Sequence, residues 1–321
     1  MVSKSVGVIP GPRTSFLDHL APICYLMNIP LHCSDEWVAT CAAQFYPEIK
    51  IIEGDLSTYQ TFYVVEPCRL HSRAVQFGDA VYHGHFKTIA GFHGNPDKFR
   101  QIFWIERYLD EDVILIYGEH LVDYLKQKGI FKRLKKIIRI GNLRYAFYKH
   151  HQNFFDRLLH PHFSPDPQKK TILWAPTWSY PDPCQAFSAY RSILNQIPEE
   201  YQVYVKLHPY TYRLFPDQIV QMKEEYTKFH FIDEIPLIYP FLNQVDIYLG
   251  DESSVAYDFL AFNRPIFFLG KKEVSWGITV RNPKRLFQEL DRPDHLAEAR
   301  QKIYHYVFGE EVSLTQLQKQ L

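Results

Sequence analysis

The feature that most constrains this fold is a regular alternation of short apolar segments with segments of helical periodicity. Apolar runs such as DVILIYG at 112–118 are typical of strands that are buried on both faces of a sheet. The amphipathic stretch EHLVDYLKQKG follows and ends at Gly129, a residue type that favours a helix C-terminus. Because strands that alternate with helices pair in parallel through right-handed crossovers, we predict an α/β fold with parallel sheets.

The segment HPHFSPDPQKK at 160–170 interrupts this alternation and shows no hydrophobic periodicity. The alternation resumes beyond it with KKTILWAPT and YQVYVKLHP, and a chain of 321 residues has the length of two domains. We therefore predict two facing Rossmann-like domains with an interdomain cleft, one at 1–160 and the other at 170–321.

Composition excludes several classes of protein. The 36 Lys and Arg residues balance 36 Asp and Glu residues, so the bulk charge indicates no nucleic-acid partner. In the sequence, no stretch approaches the ~20 apolar residues that a membrane-spanning helix needs. The five cysteines include no CxxC pair, which favours free thiols in a reducing cytoplasm. We therefore expect a cytoplasmic protein.

The segment DIYLGDESSVAYDFL combines a buried strand, a tight turn and a helix start. Asp251 lies in the turn, and Ser253 and Ser254 stand where the helix is expected to begin. Backbone N–H groups and the helix dipole favour a phosphate at such a position, and serine hydroxyls add neutral donors. Ligands of open α/β sheets also gather at the carboxyl ends of strands. The alternative is that the serines only cap the helix.

A second candidate is His208, which follows the predicted strand YQVYVKL and precedes Pro209. An imidazole at a strand end can donate to a phosphoryl oxygen or protonate a leaving phosphate near neutral pH. The competing interpretation is a structural histidine whose hydrogen bonds are satisfied within its own domain.

A third candidate is His93 in the turn-rich segment GFHGNPDK, where Gly94 lets a substrate approach the backbone closely. His83 and His85 lie nearby, but the spacing of the three histidines matches no common zinc pattern, so we expect no metal site. The sequence also lacks GxGxxG and GxxxxGK[ST] motifs, which disfavours dinucleotide oxidoreductases and P-loop NTPases.

Positive charge concentrates between Glu119 and His160, where ten Lys and Arg residues stand against three acids. At 126–139 these basic residues interleave with apolar ones, which suits contact with an anionic membrane surface or an anionic acceptor. A solvated helix end is the alternative.

Five motifs follow one another along the chain: FHGNPDK at 92–98, GNLR at 141–144, APTW at 175–178, KLHP at 206–209 and GDESS at 250–254. Taken in this order, they resemble the CDP-glycerol glycerophosphotransferase family of teichoic acid synthesis.

The resemblance implies a transferase of the GT-B type, with an acceptor-side N-terminal domain and a donor-binding C-terminal domain. It implies that His93 is the general base for an acceptor hydroxyl and that His208 stabilises or protonates the departing CMP. Gly94 and Pro209 would support their loops. The implied donor phosphate and nucleotide ligands are Ser253, Ser254, Asp251, Thr177, Lys206 and Arg144.

The same resemblance implies that the donor is cytidine-based and that no further cofactor takes part. The acceptor would be a polyol or a glycan, free or linked to a lipid, in the synthesis of a cell-envelope polymer. The protein would act in the cytoplasm, with residues 126–139 as the candidate contact with the inner face of the cell membrane.

Three other functions remain open at this point. The first is a glycosyltransferase that uses CMP-linked sialic acid or Kdo, with Asp97 or Glu119 as its carboxylate base. The second is a nucleotide-sugar epimerase, whose two-domain form is similar. The third is a non-enzymatic module that binds an anionic polymer through its basic region.

Overall fold

The structure is a computed structural model that describes residues 4–67, 86–95, 105–177, 196–232, 235–251, 253–269, 273–282, 286–311 and 313–320. The chain forms two compact units, Met1–His151 with His305–Leu321, and Gln152–Tyr304. Each unit contains a parallel sheet with helices between its strands, so the predicted α/β class is confirmed.

The described strands form one sheet in each unit. The sheet of the first unit contains β1 (Ser5–Ile9), β2 (Leu31–Cys33), β3 (Ile51–Ile52), β4 (Thr61–Val64), β5 (Lys87–Ala90), β6 (Val113–Ile116) and β7 (Ile137–Arg139). The sheet of the second unit contains β8 (Lys170–Ala175), β9 (Tyr201–Val205), β10 (His230–Phe231), β11 (Ile247–Gly250), β12 (Ile266–Leu269) and β13 (Ile278–Val280).

Both sheets have the strand order of a Rossmann-type fold. The orders are β3-β2-β1-β4-β5-β6-β7 and β10-β9-β8-β11-β12-β13, and the described pairs are parallel. In each sheet the winding direction reverses once, between β1 and β4 and between β8 and β11. Such a reversal opens a crevice at the carboxyl ends of the two strands, which is where ligands of these folds bind.

The described α-helices lie between strands or follow the last strand. They are α1 (Leu17–Met27), α2 (Glu36–Phe45), α3 (Glu119–Gln127), α4 (Leu143–His150), α5 (Gln152–Leu159), α6 (Pro209–Leu214), α7 (Pro216–Glu225), α8 (Tyr239–Gln244), α9 (Val255–Phe259), α10 (Leu286–Leu290), α11 (Ala297–Phe308) and α12 (Leu314–Gln320).

Local sequence explains several helix ends. The Asp35 carboxylate accepts a hydrogen bond from the Val38 N–H at 3.1 Å and so begins α2, as N-cap aspartates do. Gly129 follows α3 with φ +71°, a backbone conformation that glycine adopts without strain. The prediction that this helix ends at Gly129 is thus confirmed.

The strands are apolar along their length because helices cover both faces of each sheet. Trp174, Leu249 and Phe267 are at most 1% exposed and belong to one core cluster of the second unit. The short strand β13 was not predicted, because its three residues stand out too little from the loop around them.

The boundary between the units differs from the predicted ranges 1–160 and 170–321. Helix α5 precedes the proline-rich segment, yet it belongs to the second unit. Its Phe155 and Leu159 are buried, and the helix contacts α8. The apolar face of a single helix therefore set the boundary, and the prolines did not.

The end of the chain returns to the first unit. A Cβ at Gly118 would lie 2.5 Å from the Val307 carbonyl oxygen, so a glycine is needed for this close approach. The Gln318 side-chain amide donates to the Leu26 carbonyl at 2.8 Å. Because these contacts join residues far apart in sequence, a pattern along the chain could not reveal them.

None of the helices in the described residues combines the length and the hydropathy of a membrane-spanning segment. Within the same ranges, no group of three or more His, Cys, Asp or Glu side chains is placed to hold a metal ion. Cys24, Cys33 and Cys41 are buried and form no disulfide, and burial raises the pKa of the Cys33 thiol to about 12. Cys68 and Cys184 lie outside the described residues.

Candidate active site

The crevice of the second sheet lies at the carboxyl ends of β8 and β11. Both carboxylate oxygens of Asp251 accept hydrogen bonds from the Thr177 N–H at 3.0 Å, and Oδ1 also accepts from the Ser253 N–H at 3.1 Å. Asp251 is only 7% exposed. Its carboxylate therefore joins the loops that follow the two strands. It faces the protein backbone, so we assign it to loop positioning and not to direct contact with a phosphate, which it would repel.

The end of β11 is also shaped by Tyr248. Its hydroxyl donates to the Ala175 carbonyl at 3.3 Å and lies where a Cβ at residue 250 would be, which explains Gly250. Burial raises the pKa of Tyr248 well above its usual value, and a hydrogen bond with the Ser253 side chain acts in the opposite direction. The Tyr248 hydroxyl is thus neutral and ties β8 to the turn after β11.

The two serines differ in their surroundings. Ser253 is 8% exposed, and its Oγ accepts from the Val255 N–H at 3.4 Å. Ser254 is half-buried and precedes α9, and within the described structure its side chain makes no capping hydrogen bond. The simple capping alternative therefore does not describe Ser254. Its hydroxyl is the better placed of the two to donate to a ligand.

Helix α9 is held by a buried contact within the second unit. The Tyr239 hydroxyl donates to the Asp258 carboxylate at 2.9 Å, and both side chains are at most 6% exposed. This bond fixes the helix whose start carries the serines. Sequence analysis missed it, since nothing in SSVAYDFL distinguishes Asp258 from a solvated residue.

His208 lies just beyond β9, the neighbour of β8 in the sheet, and therefore at the same carboxyl edge as Thr177 and Ser254. It is half-buried, and its carbonyl accepts from the Thr211 N–H at 2.8 Å as Pro209 begins α6. A proline at this position supports the helix start, where its missing N–H costs nothing.

The Lys206 side chain contacts residues around the start of α8. Its ammonium donates to the Ile235 carbonyl at 2.9 Å and lies 5.4 Å from the centre of the Phe241 ring. These contacts hold the segment before α8 against the end of β9. They give Lys206 a supporting role at this edge, and the phosphate contact that the resemblance implies stays a prediction.

In the first unit, His93 follows β5 and is 37% exposed at its side chain. Its Nδ1 lies 3.8 Å from the Glu66 carboxylate, and its ring centre lies 5.2 Å from that of Phe16. Gly94 has φ +141°, a conformation that residues with a side chain rarely adopt. The predicted supporting role of Gly94 therefore has a physical basis in the turn after His93.

Arg144 is also placed in the first unit, but in its interior. Its guanidinium pairs with the Asp18 carboxylate, with Nε donating to Oδ2 at 3.0 Å, and both side chains are 9% exposed. The Tyr46 hydroxyl donates to the same carboxylate at 3.4 Å. This pairing offsets the charge of Arg144 inside the fold, and we assign the residue a structural role in place of the predicted contact with a donor phosphate.

His19 lies near this pair. Burial lowers its pKa well below 6.5, and the charges of Arg144 and His93 lower it further. Its Nδ1 is 3.2 Å from the Tyr117 hydroxyl. His19 is therefore a neutral member of the interior. It was not singled out from the sequence, although its place in the first turn of a helix after β1 is readable there.

Glu66 and Arg13 are further residues that sequence analysis missed. Glu66 follows β4 and pairs with Arg13, which follows β1, at the point where the winding of the first sheet reverses. The signal was present, because Glu66 ends the apolar run TFYVV. Only the strand order shows that this end adjoins the crevice.

The basic segment 126–139 is largely paired. Four of its seven Lys and Arg side chains form ion pairs with acidic residues of the first unit. The pairs are Lys126–Glu119, Lys126–Asp123, Arg133–Glu106, Lys135–Asp112 and Arg139–Glu119. Glu119, one of the alternative bases, is thus engaged by two cations, and Asp97 lies outside the described residues.

Comparison with known proteins identifies a family model that matches part of this chain. Residues 119–272 match the model of the CDP-glycerol:poly(glycerophosphate) glycerophosphotransferase family. A teichoic acid glycerol-phosphate primase of Bacillus spizizenii is 27% identical over 175 residues, which are 53% of this chain and 42% of the primase. The matched part is thus less than half of that relative's length.

Solved structures resemble the whole chain. The wall teichoic acid polymerase TagF superposes with a TM-score of 0.66 at 14% identity, over 98% of this chain and 86% of that structure. MnaA of S. aureus in complex with UDP gives 0.62 at 13% identity, over 96% and 93%. At identities this low, structural similarity shows the fold alone, and this similarity confirms the GT-B type. Residues 119–272, just under half of the chain, thus match the CDP-glycerol glycerophosphotransferase family.

Proposed function

We propose that this protein transfers a glycerophosphate or similar group from a CDP-linked donor to an acceptor hydroxyl in the synthesis of a cell-envelope polymer. The observation that carries the proposal is the arrangement at the reversal point of the second sheet. There Asp251 draws the loops after β8 and β11 together within the residues that match the family.

The donor phosphates would bind at these loops. Ser254, with its half-buried hydroxyl, and the Thr177 side chain supply neutral hydrogen-bond donors at a strand edge suited to anions. Ser253 contributes mainly by holding the turn, through its bonds with Val255 and Tyr248. The match to the family model and the order of the motifs support a cytidine base in the donor.

The two histidines would move the protons. The acceptor oxygen attacks the phosphorus that carries glycerol, and the bond from this phosphorus to the bridging oxygen of CMP breaks. His93 would accept the proton of the acceptor hydroxyl, and His208 would stabilise or protonate the departing CMP phosphate. Phosphoryl transfer depends mainly on positioning and electrostatics, so fixed donors and two imidazoles suit this reaction.

For the acceptor we propose a polyol or glycan hydroxyl, carried on a lipid. Contact of residues 126–139 with the inner membrane surface belongs to the same proposal. Three basic residues support this contact, because Lys128, Lys132 and Lys136 have no ion-pair partner among the described residues.

A thermal-shift panel of CMP, CDP, UDP, GDP and CDP-glycerol tests the donor class. A ligand at 100 times its dissociation constant adds about 2.7 kcal/mol of stability, so cytidine nucleotides should raise the melting temperature clearly. The Ser254→Ala variant should weaken this shift, whereas Ser164→Ala, in an exposed loop of the same unit, should preserve it. A larger shift with UDP than with any cytidine ligand would reject the donor and favour a nucleotide-sugar epimerase.

A further inference from the structure

The Glu66 carboxylate lies between a histidine and an arginine at the carboxyl edge of the first sheet. Its Oε1 is 3.8 Å from Nδ1 of His93, and its Oε2 pairs with the Arg13 guanidinium. The register explains the proximity, because Val64 of β4 pairs with Ala90 of β5 and the two side chains follow closely on these adjacent strands.

Phe16 contacts two of these three residues, His93 and Arg13. Its ring centre lies 5.2 Å from that of His93 and 5.1 Å from the guanidinium carbon of Arg13. The side chains of Arg13, Glu66 and His93 are each about a third exposed, at 30%, 31% and 37%. The group is thus partly shielded, which strengthens its electrostatics, and remains accessible to a substrate.

We infer that Glu66 is a positioning residue for His93, an inference that rests on the proposed role of His93 as a base. With Nδ1–H directed at the Glu66 carboxylate, the Nε2 lone pair is the one that accepts the acceptor's proton. The carboxylate then stabilises the imidazolium as it forms, and Arg13 fixes the carboxylate. The separation of 3.8 Å is longer than a hydrogen bond, and catalytic contacts of this kind often tighten when substrate binds.

Three other ionisable groups near His93 are either neutral or paired with an opposite charge. His19 of α1 is neutral because burial lowers its pKa well below 6.5. Tyr108 is neutral because burial, together with the charge of Glu66, raises its pKa well above 10. Arg144 is matched by Asp18. Removal of the negative charge at Glu66 should therefore change the pKa of His93 directly, with Arg13 left as the nearest cation.

An NMR titration of the full chain tests the pairing without any donor. His93 is assigned by the signal that disappears in His93→Gln, and its pKa is compared between wild type and Glu66→Gln. The His93 pKa should fall by about one unit, since a carboxylate within 4–6 Å favours the protonated form. Glu48→Gln is the matched control, because Glu48 lies 3.8 Å from Nδ1 of His151 in the same unit. An unchanged His93 pKa in Glu66→Gln overturns the inference.

Kinetics test the consequence. In Glu66→Gln, kcat should fall about 10-fold, a part of the 10²–10⁴-fold that a positioned base contributes, while KM stays nearly constant. The limb of the pH profile that reports His93 should move to lower pH, and Glu66→Asp should restore part of kcat. An unmoved limb overturns the inference. Absence of transfer from every cytidine donor would overturn the proposed function, and the titration would still decide the pairing.

Discussion

Asp251 and Thr177 are joined by two hydrogen bonds of 3.0 Å, from one backbone N–H to both oxygens of one buried carboxylate. They lie at the ends of β11 and β8, where the winding direction of the second sheet reverses. The contact draws the loops that carry the proposed phosphate donors into one arrangement. Asp251 can therefore control the affinity of the site through the loops that it joins.

Asp251→Ala should lower both stability and donor affinity. It leaves the N–H groups of Thr177 and Ser253 without their acceptor, at a cost of about 1–3 kcal/mol for each group that stays buried. Urea unfolding and nucleotide titration measure the two effects. The matched control is Asp246→Ala, which removes an exposed carboxylate from the Thr171 N–H at the opposite end of the same strands. Equal loss of donor affinity in both variants would contradict the assignment.

His93→Ala and His208→Ala should each lower kcat by about 10²–10⁴-fold, the usual contribution of one positioned proton-transfer group. A steady-state assay of CMP release with the true donor and acceptor provides the measurement. His230→Ala, at a partly exposed histidine of β10, should leave kcat close to wild type. Full activity in both site variants would show that neither imidazole transfers the proton.

Arg144→Met should destabilise the protein by about 3–5 kcal/mol, because it leaves the buried Asp18 carboxylate without its cation. Lys149 lies in the same helix α4 as Arg144, and Lys149→Met breaks its ion pair with Glu311. Because that pair is about half exposed, its loss should lower the free energy of unfolding by less than about 1 kcal/mol. Chemical denaturation compares the two variants. A normal stability of Arg144→Met combined with a raised KM for the donor would instead support the phosphate contact predicted from the sequence.

The free energy of unfolding should decrease as the pH falls below about 6.5. Burial keeps the folded-state pKa of His19 well below that value, so the unfolded chain binds a proton that the folded chain does not. The contribution is fully present above pH 6.5 and is lost towards lower pH, with a slope of about 1.4 kcal/mol per pH unit. His19→Gln should flatten this slope, and the exposed His160→Gln should not. Denaturant unfolding between pH 5 and 7 gives the comparison.

Binding to anionic lipid vesicles should be weak and should depend on three lysines. Lys128, Lys132 and Lys136 have no acidic partner in the part of the chain that the structure describes, whereas Lys126 pairs with Glu119 and Asp123. Replacing the three lysines by glutamine should abolish salt-sensitive sedimentation with phosphatidylserine vesicles, and Lys126→Gln should not. Strong binding that survives the triple replacement would place the membrane contact elsewhere.

The sequence by itself determined the parallel α/β class. Strands covered by helices on both faces must be apolar along their length, and that pattern is local, as β6 and β8 show. It also placed His93, His208 and the serine pair at strand ends, because the order of strand, turn and helix is readable along the chain. The candidate site could therefore be predicted to the level of which loops carry it.

Only the tertiary structure decided what each site residue contacts. Asp251 contacts Thr177 across a sequence separation of 74 residues, and Arg144 contacts Asp18 across one of 126 residues. These partners depend on strand order and helix packing, which bring distant segments together and leave no periodic trace in the sequence. For this reason the sequence could not reveal that Arg144 pairs with Asp18, that Asp251 joins two loops, or that Glu66 lies beside His93.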